Sequence, residues 1–378
     1  MNELFIENAA AVSPLGSNLE EIWQNLLLGE IQFGRTHLPG EKSYFSAETK
    51  KNSASNIHQY GELFYDTVRN LVSELNIQEP VNAVFFATAV GNLAEIESKI
   101  YSKKDLLLKD FDFTHVKEVF LESNVVNEKT RFVCVPTGCC AGLQAIGLAK
   151  SLMNKLQLKT AIIMSLDFGL SPLAFEAFNK INATSAYQSN QNYSPSRPFC
   201  KNRGGFLFAD GGGAIFVKTE TQMNKPRITG YGCVSSAFHM TDISTDGISI
   251  RESMKLALED SGLNGQDIDH VNLHASGTQQ NDEAEYNALL DIIGHNLPDI
   301  SAFKGNHGHA LGGANMIEVA LSWKMLEEQL IPPTPKALLV DAYEGVSKRE
   351  SSKPFTGKTI LKTASGFSGI HASLVMEK

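Results

Sequence analysis

Cysteine is scarce in this 378-residue chain. Its five cysteines, Cys134, Cys139, Cys140, Cys200 and Cys233, are odd in number and lack metal-type spacing. That argues against a disulfide framework and for free thiols in a reducing cytoplasm. Long apolar runs are also missing: no stretch approaches the ~18 uninterrupted apolar residues of a membrane span. The opening, MNELFIENAA, is acidic and has no basic flank with an apolar run behind it, so no signal peptide is expected. Basic residues are outnumbered, 33 Lys and Arg against 42 Asp and Glu, for a net charge of −9. A general nucleic-acid binder needs a basic face and is disfavoured. An acidic partner would have to meet a local basic patch. No short-period repeat or low-complexity tail is visible.

What is present is a soluble, core-forming composition, with 42% hydrophobic and 20% charged residues. The length exceeds a typical domain of ~100–200 residues, so two domains or one doubled domain are expected. Short apolar runs alternate with helical patterns. Residues 83–90, 131–137, 160–166, 212–220 and 227–236 read as strands, the last two as antiparallel neighbours. Residues 249–262, 281–293 and 316–329 read as helices, 270–276 as strand into loop, and 359–369 as strand into a glycine-rich turn. The alternation predicts an α/β fold with buried sheets. A seam near TQMNKPR (221–227) divides the chain into halves of similar plan, 1–225 and 226–378.

Four stretches carry residues suited to chemistry. In PTGCCAG (136–142), Gly138 permits a tight turn from strand into a helix that is apolar on nearly every face. A cysteine on that turn sits where unpaired N–H groups and the helix dipole favour a thiolate, so a lowered pKa and attack on a carbonyl or thioester are one reading. Simple packing of small apolar side chains is the other. His274 ends an apolar strand and opens a loop of small residues, either as a reactive group or as a histidine bonded within a turn. Lys304, His307 and His309 lie among glycines and alanines before a helix, where a lysine beside a histidine can set its tautomer. The HGH pattern has no carboxylate or cysteine at ligand spacing, so no metal is expected. SGFSGIHAS (365–373) is a strand-end turn able to supply backbone N–H groups to an oxyanion.

In this order the four stretches resemble the β-ketoacyl-acyl-carrier-protein synthases of the elongating, decarboxylating type, in the thiolase superfamily. The likeness spans nearly the whole chain. AVSPLGSNLEEIWQNLLLGE (11–30) looks like the family's opening strand, turn and helix, and 194–216 resembles its Arg-Pro-Phe segment. HASGTQQND (274–282) follows the family's histidine loop loosely, and KGNHGHALGGA (304–314) follows its lysine–histidine motif well. The resemblance implies a thiolase-like α/β fold, two similar halves in α-β-α-β-α layers. It implies Cys139 as nucleophile with Cys140 as a packing neighbour, His274 and His309 as the paired histidines, and Lys304 and Glu318 as their support. Phe367, beside Gly366, would complete the oxyanion hole with Cys139 and gate the site, and His307 would be structural. No metal or organic cofactor is implied.

The reaction implied is acyl transfer to Cys139 followed by decarboxylative condensation with a malonyl thioester, extending a fatty-acyl, polyketide or polyene chain by two carbons. The implied partners are an acyl carrier protein and a second subunit, identical or related, paired across the strand TRFVCVP; no nucleic acid or membrane partner is implied. Phe175 and Phe178 are acyl-pocket candidates, with core packing as the alternative reading. Lys50 and Lys51 are candidates for carrier docking. Departures from the family pattern fall at Cys200, Gly204, Ala275, Ser276, Asn315 and Met316. A non-catalytic chain-length-factor-like subunit would usually replace the cysteine, which this chain keeps. A thiolase would carry a second cysteine near the C-terminus, and none follows Cys233.

Overall fold

A computed structural model describes residues 3–38, 42–50, 56–185, 196–220, 222–335, 343, 346 and 348–378. Ten of its strands join one sheet. They are β1 (Leu4–Val12), β2 (Ala83–Thr88), β3 (Arg131–Pro136), β4 (Thr160–Asp167), β5 (Gly211–Lys218), β6 (Arg227–Ser235), β7 (His270–Asn272), β8 (Asp299–Ser301), β9 (Thr359–Gly366) and β10 (Ile370–Glu377). Their order in space is β8-β7-β9-β10-β6-β1-β5-β4-β2-β3.

This order contains the same five-strand plan twice. In the first set β1 and β5 are antiparallel, β5 and β4 are antiparallel, and β4, β2 and β3 run parallel. In the second set β6, β10, β9, β7 and β8 repeat those relations in the same chain order. The sets meet only where β1 touches β6, through Leu4 with Ile228 and Phe5 with Arg227. Among the parallel strands, β2 and β4 are near-continuous apolar runs buried almost throughout, as strands covered on both faces require.

One expectation fails here. The strands at 212–220 and 227–236 are not neighbours, because β1 lies between them, antiparallel to both. The connection between them is too long for a tight hairpin. It passes the start of β1 instead, where the Ile6 N–H donates to Pro226 O at 2.8 Å.

Two helices, Ala141–Lys155 and Leu311–Glu328, pack on strands of both sets and on each other. The second is buried over most of its length, as a helix apolar on all sides must be. They approach closely through Gly142 and Gly312: a Cβ on Gly142 would lie 3.1 Å from Gly312 O and 2.9 Å from the Met316 side chain. Outside the sheets, Ile57–Glu74 covers the first set, and Ile248–Ser261 with Gln279–Ile293 covers the second. The resulting layers are α-β-α-β-α, with both central helices starting at the C-terminal ends of parallel strands.

Candidate active site

Because the halves repeat, corresponding loops converge from opposite sides. At or just beyond the C-terminal ends of β2, β3 and β4 stand Thr88, Cys139 and Asp167. Beyond those of β7, β8 and β9 stand His274, the Lys304–His309 segment and Phe367. Parallel α/β strands commonly aim functional loops from this end. Cys139, Phe206, Ile243, His274, Ser276, Thr278, Asn281, His309, Ser365, Gly366 and Phe367 line one cavity of about 30 Å³. The space holds a water molecule or two and no acyl chain, so entry requires lining groups to move.

Cys139 sits on a single 3-10 turn, Gly138–Cys140, between β3 and the central helix. Gly138 has φ +81°, the left-handed region that glycine enters without cost. The Cys139 carbonyl accepts a hydrogen bond from Asn315 Nδ2 on the other central helix. Gly366 lies so near that an added Cβ would be 3.5 Å from Cys139 N and Cβ. Cys140 is fully buried and its Sγ donates to Ile370 O at 3.2 Å.

On one of the two sequence readings, the helix start would lower the pKa of this thiol. Burial instead pushes it up to about 12, and the nearby Asp167 carboxylate adds to the rise. Lys304 and the backbone N–H groups of Phe367 and Cys139 pull the other way without overcoming desolvation. The resting group is therefore a thiol at neutral pH. The same two N–H groups, one from each half, are directed at its sulfur.

His274 and His309 face each other edge to face, with ring centroids 5.2 Å apart. Both are buried, and desolvation followed by the Lys304 charge holds both well below the usual histidine value. They are neutral imidazoles at pH 7. Phe206 packs edge-on against His309 at 5.0 Å.

Beneath them lies a buried charge network. Lys304 Nζ donates to Glu318 Oε1 and to the His274 carbonyl, each at 2.7 Å. It thus grips the backbone of His274 rather than an imidazole. Lys362 Nζ lies 2.8 Å from Glu318 Oε2. Glu318 stays ionised: burial raises its pKa, but the two lysines lower it further. On the other side of His274, Glu285 accepts from the His274 N–H and the Ala275 N–H, both at 2.8 Å. His307 is fully buried, does not line the cavity, and neither ring nitrogen has a partner among the described residues.

Asp167 closes the site behind Cys139. Its carboxylate accepts from Thr88 Oγ1 at 2.6 Å and from the N–H groups of Ala89, Val90 and Gly313 at 2.8, 3.0 and 3.1 Å. Burial raises its pKa to about 6. Asp167, Glu285 and Lys362 escaped the sequence reading. For Asp167 and Lys362 the signal was a lone charge in an apolar run, as in TILKTASG, whereas Glu285 lies among Asp282 and Glu283 in a helix and carried no such signal.

The remaining candidates lie elsewhere. Phe175 is buried against Tyr44 and Phe208, with ring centroids 4.5 and 5.1 Å away. Phe178 is half-buried and touches Phe206, Phe208 and Phe367. Neither lines the cavity. Lys50 is exposed, and Lys51 lies outside the described residues. Among the described residues no cluster suits a metal ion, and no helix is long and apolar enough to cross a membrane.

A thiol, two neutral imidazoles and paired N–H donors surround one cavity on a doubled α/β fold, a set of groups able to carry acyl transfer. Residues 123–223 match the beta-ketoacyl synthase N-terminal domain and residues 226–337 its C-terminal domain. The chain belongs to the beta-ketoacyl synthase family. It is 32% identical over 260 residues to the tetracenomycin polyketide synthase ketoacyl synthase alpha subunit of Streptomyces glaucescens, covering 65% of this chain and 59% of that one. The match thus spans about three-fifths of that relative's length. It is 26% identical over 431 aligned positions to a putative mitochondrial 3-oxoacyl-[acyl-carrier-protein] synthase of Schizosaccharomyces pombe, covering 100% and 99%. Among solved structures, a type II polyketide ketosynthase bound to its acyl carrier protein superposes with a TM-score of 0.87 at 23% identity, covering 100% and 99%. The ishigamide ketosynthase/chain length factor superposes with 0.83 at 20%, covering 100% and 99%. These likenesses establish the thiolase-like fold.

Proposed function

We propose that the chain is a β-ketoacyl-acyl-carrier-protein synthase of the elongating, decarboxylating type. The observation that carries this reading is the meeting of Cys139 with neutral His274 and His309 in one cavity, under the N–H groups of Cys139 and Phe367.

In the first half-reaction the Cys139 sulfur attacks the carbonyl of an acyl thioester. The Cys139 and Phe367 N–H groups hold the tetrahedral oxyanion. The carbon–sulfur bond to the carrier breaks, and the thiol proton leaves with the carrier's sulfur. A neutral imidazole in the same cavity relays it, since a thiol near pKa 12 does not ionise unaided.

In the second half-reaction a malonyl thioester presents its carbonyl to His274 and His309. Neutral imidazoles donate hydrogen bonds to the oxygen that becomes an enolate as the carbon–carbon bond to the carboxylate breaks and carbon dioxide leaves. Lys304, which donates to the His274 carbonyl beneath them, favours that negative oxygen. The carbanion attacks the acyl-Cys139 carbonyl, the carbon–sulfur bond breaks, and the Cys139 sulfur regains a proton that originates in water.

Phe367 and Gly366 form the mobile wall of the cavity, and Phe178 behind Phe367 is a candidate to meet the acyl chain when that wall shifts. The carrier protein approaches this mouth, with Lys50 and Lys51 as candidate contacts. Pairing with a second subunit uses β3, an edge strand whose Phe132, Val133 and Cys134 are only partly covered. The two halves, 1–225 and 226–378, act as one unit in the cytoplasm.

Intact mass after incubation with short acyl-carrier-protein thioesters tests the reading. Wild type gains one acyl group and Cys139→Ala gains none. No adduct with any donor removes the proposal.

A further inference from the structure

Lys362 stands in the middle of β9, whose eight residues are all buried. A lysine there is expensive, and nothing in the strand's pattern calls for one. Alternation places Lys362 on the same face as Ala364 and Gly366, towards the central helices. Its ammonium meets Glu318 Oε2 at 2.8 Å, donates to Thr363 O, and reaches Leu273 O at 3.5 Å. The neighbouring Thr363, on the opposite face, accepts from the His274 N–H at 3.0 Å. β9 therefore grips the Leu273–His274 segment from both of its faces. Four residues beyond Lys362 the same strand delivers Gly366 against Cys139, and then Phe367, whose N–H points at the sulfur.

Stability gives no reason to keep this lysine. Two buried ammoniums share one buried carboxylate, and such networks are often matched or bettered by apolar side chains of similar volume. Lys304 alone neutralises Glu318 and holds the His274 carbonyl. What Lys362 adds is a link from β9 to the segment that follows β7. It ties the strand carrying the oxyanion donor to the helix carrying Glu318 and to the segment carrying His274.

We propose that Lys362 is a positioning residue that sets the Phe367 N–H and His274 in register, so that acyl transfer to Cys139 and enolate formation share one rigid frame. This rests on the ketosynthase reading above. Lys362 touches no substrate; it acts through the backbone of β9 and through Glu318.

The test is Lys362→Met, which keeps chain length and bulk and removes the charge and the donors. The expected result is a folded protein with unchanged KM for malonyl-carrier protein. Its kcat falls ~10–100-fold for both Cys139 acylation and malonyl decarboxylation, as small misplacements of reacting groups do. Wild-type kcat in the folded variant overturns the inference, as does a loss that merely tracks the unfolded fraction. If Lys362→Met does not fold, Lys362→Ala is assayed with and without methylammonium. Activity restored by methylammonium at constant melting temperature supports the inference, and no restoration overturns it. Wild type run alongside separates the two failures: a wild type that neither acylates nor decarboxylates defeats the ketosynthase reading, and the inference falls with it.

Discussion

The His274 and His309 rings lie 5.2 Å apart at 79°, although they arrive from different strand ends of the second half. Neither ring is charged at neutral pH, because burial and the Lys304 ammonium oppose protonation of both. Such a pair can donate two hydrogen bonds to one oxygen without repelling itself.

From this pairing follows a split between half-reactions. His274→Ala and His309→Ala should each slow malonyl decarboxylation by ~10²–10⁴-fold, the usual range for a lost donor or acid–base group. Each should still form some acyl-Cys139, because the oxyanion donors are backbone groups. Radiolabelled carbon dioxide release and intact mass, run on the same preparations, separate the two. Loss of acylation as large as loss of decarboxylation would remove the division of roles.

The Cys139 thiol makes a separate claim. With its pKa near 12, the thiolate fraction rises tenfold per pH unit across the whole neutral range. Alkylation of Cys139 by iodoacetamide should climb log-linearly from pH 6 to beyond 9. Peptide mass mapping against Cys139→Ala isolates the site. A plateau near pH 8 would show that the helix start, not burial, governs the group.

Much of this site was legible beforehand, and the reason is local. Cys139, His274, Lys304 and His309 each sit in a short turn whose small residues mark a change from strand to loop or helix. The roles of Lys362 and Asp167 were not legible, because they depend on partners far along the chain. Asp167 bonds Thr88 79 residues before it and Gly313 146 residues after it. Those pairings exist only once strand order is known, and strand order was misjudged where β1 enters between β5 and β6. The raised thiol pKa was hidden for the same reason: the dipole is a property of the turn, whereas burial is a property of the whole fold.

His307 offers a test of stability rather than activity. It is fully buried with both ring nitrogens unpartnered among the described residues, and burial lowers its pKa to about 4. In the unfolded chain a histidine titrates near ~6.5. Its contribution is therefore intact above that value and is lost as pH falls towards 4, because only the unfolded chain takes up the proton. His307→Leu removes that loss. At pH 5 the variant should gain about 2 kcal/mol relative to its difference from wild type at pH 7. Urea unfolding at both pH values decides it, and parallel pH curves for the two proteins would contradict it.

Ala275 holds φ +46°, where an L-residue pays about 1–2 kcal/mol and glycine does not. The strain is maintained by Glu285, whose carboxylate spans the His274 and Ala275 N–H groups. The observed conformation thus presents two successive N–H groups to one carboxylate and turns the chain immediately after His274. Ala275→Gly should relieve the strain. Part of the gain is offset by the freedom glycine adds to the unfolded chain, about 0.5–1 kcal/mol. The net expectation is a stabilisation of up to about 1 kcal/mol, read as a higher urea midpoint with unchanged m-value. Condensation should stay within about twofold of wild type, since Glu285 still fixes both N–H groups. A variant that is more stable yet condenses tenfold slower would mean that the alanine methyl, and not only the backbone turn, holds His274 in place.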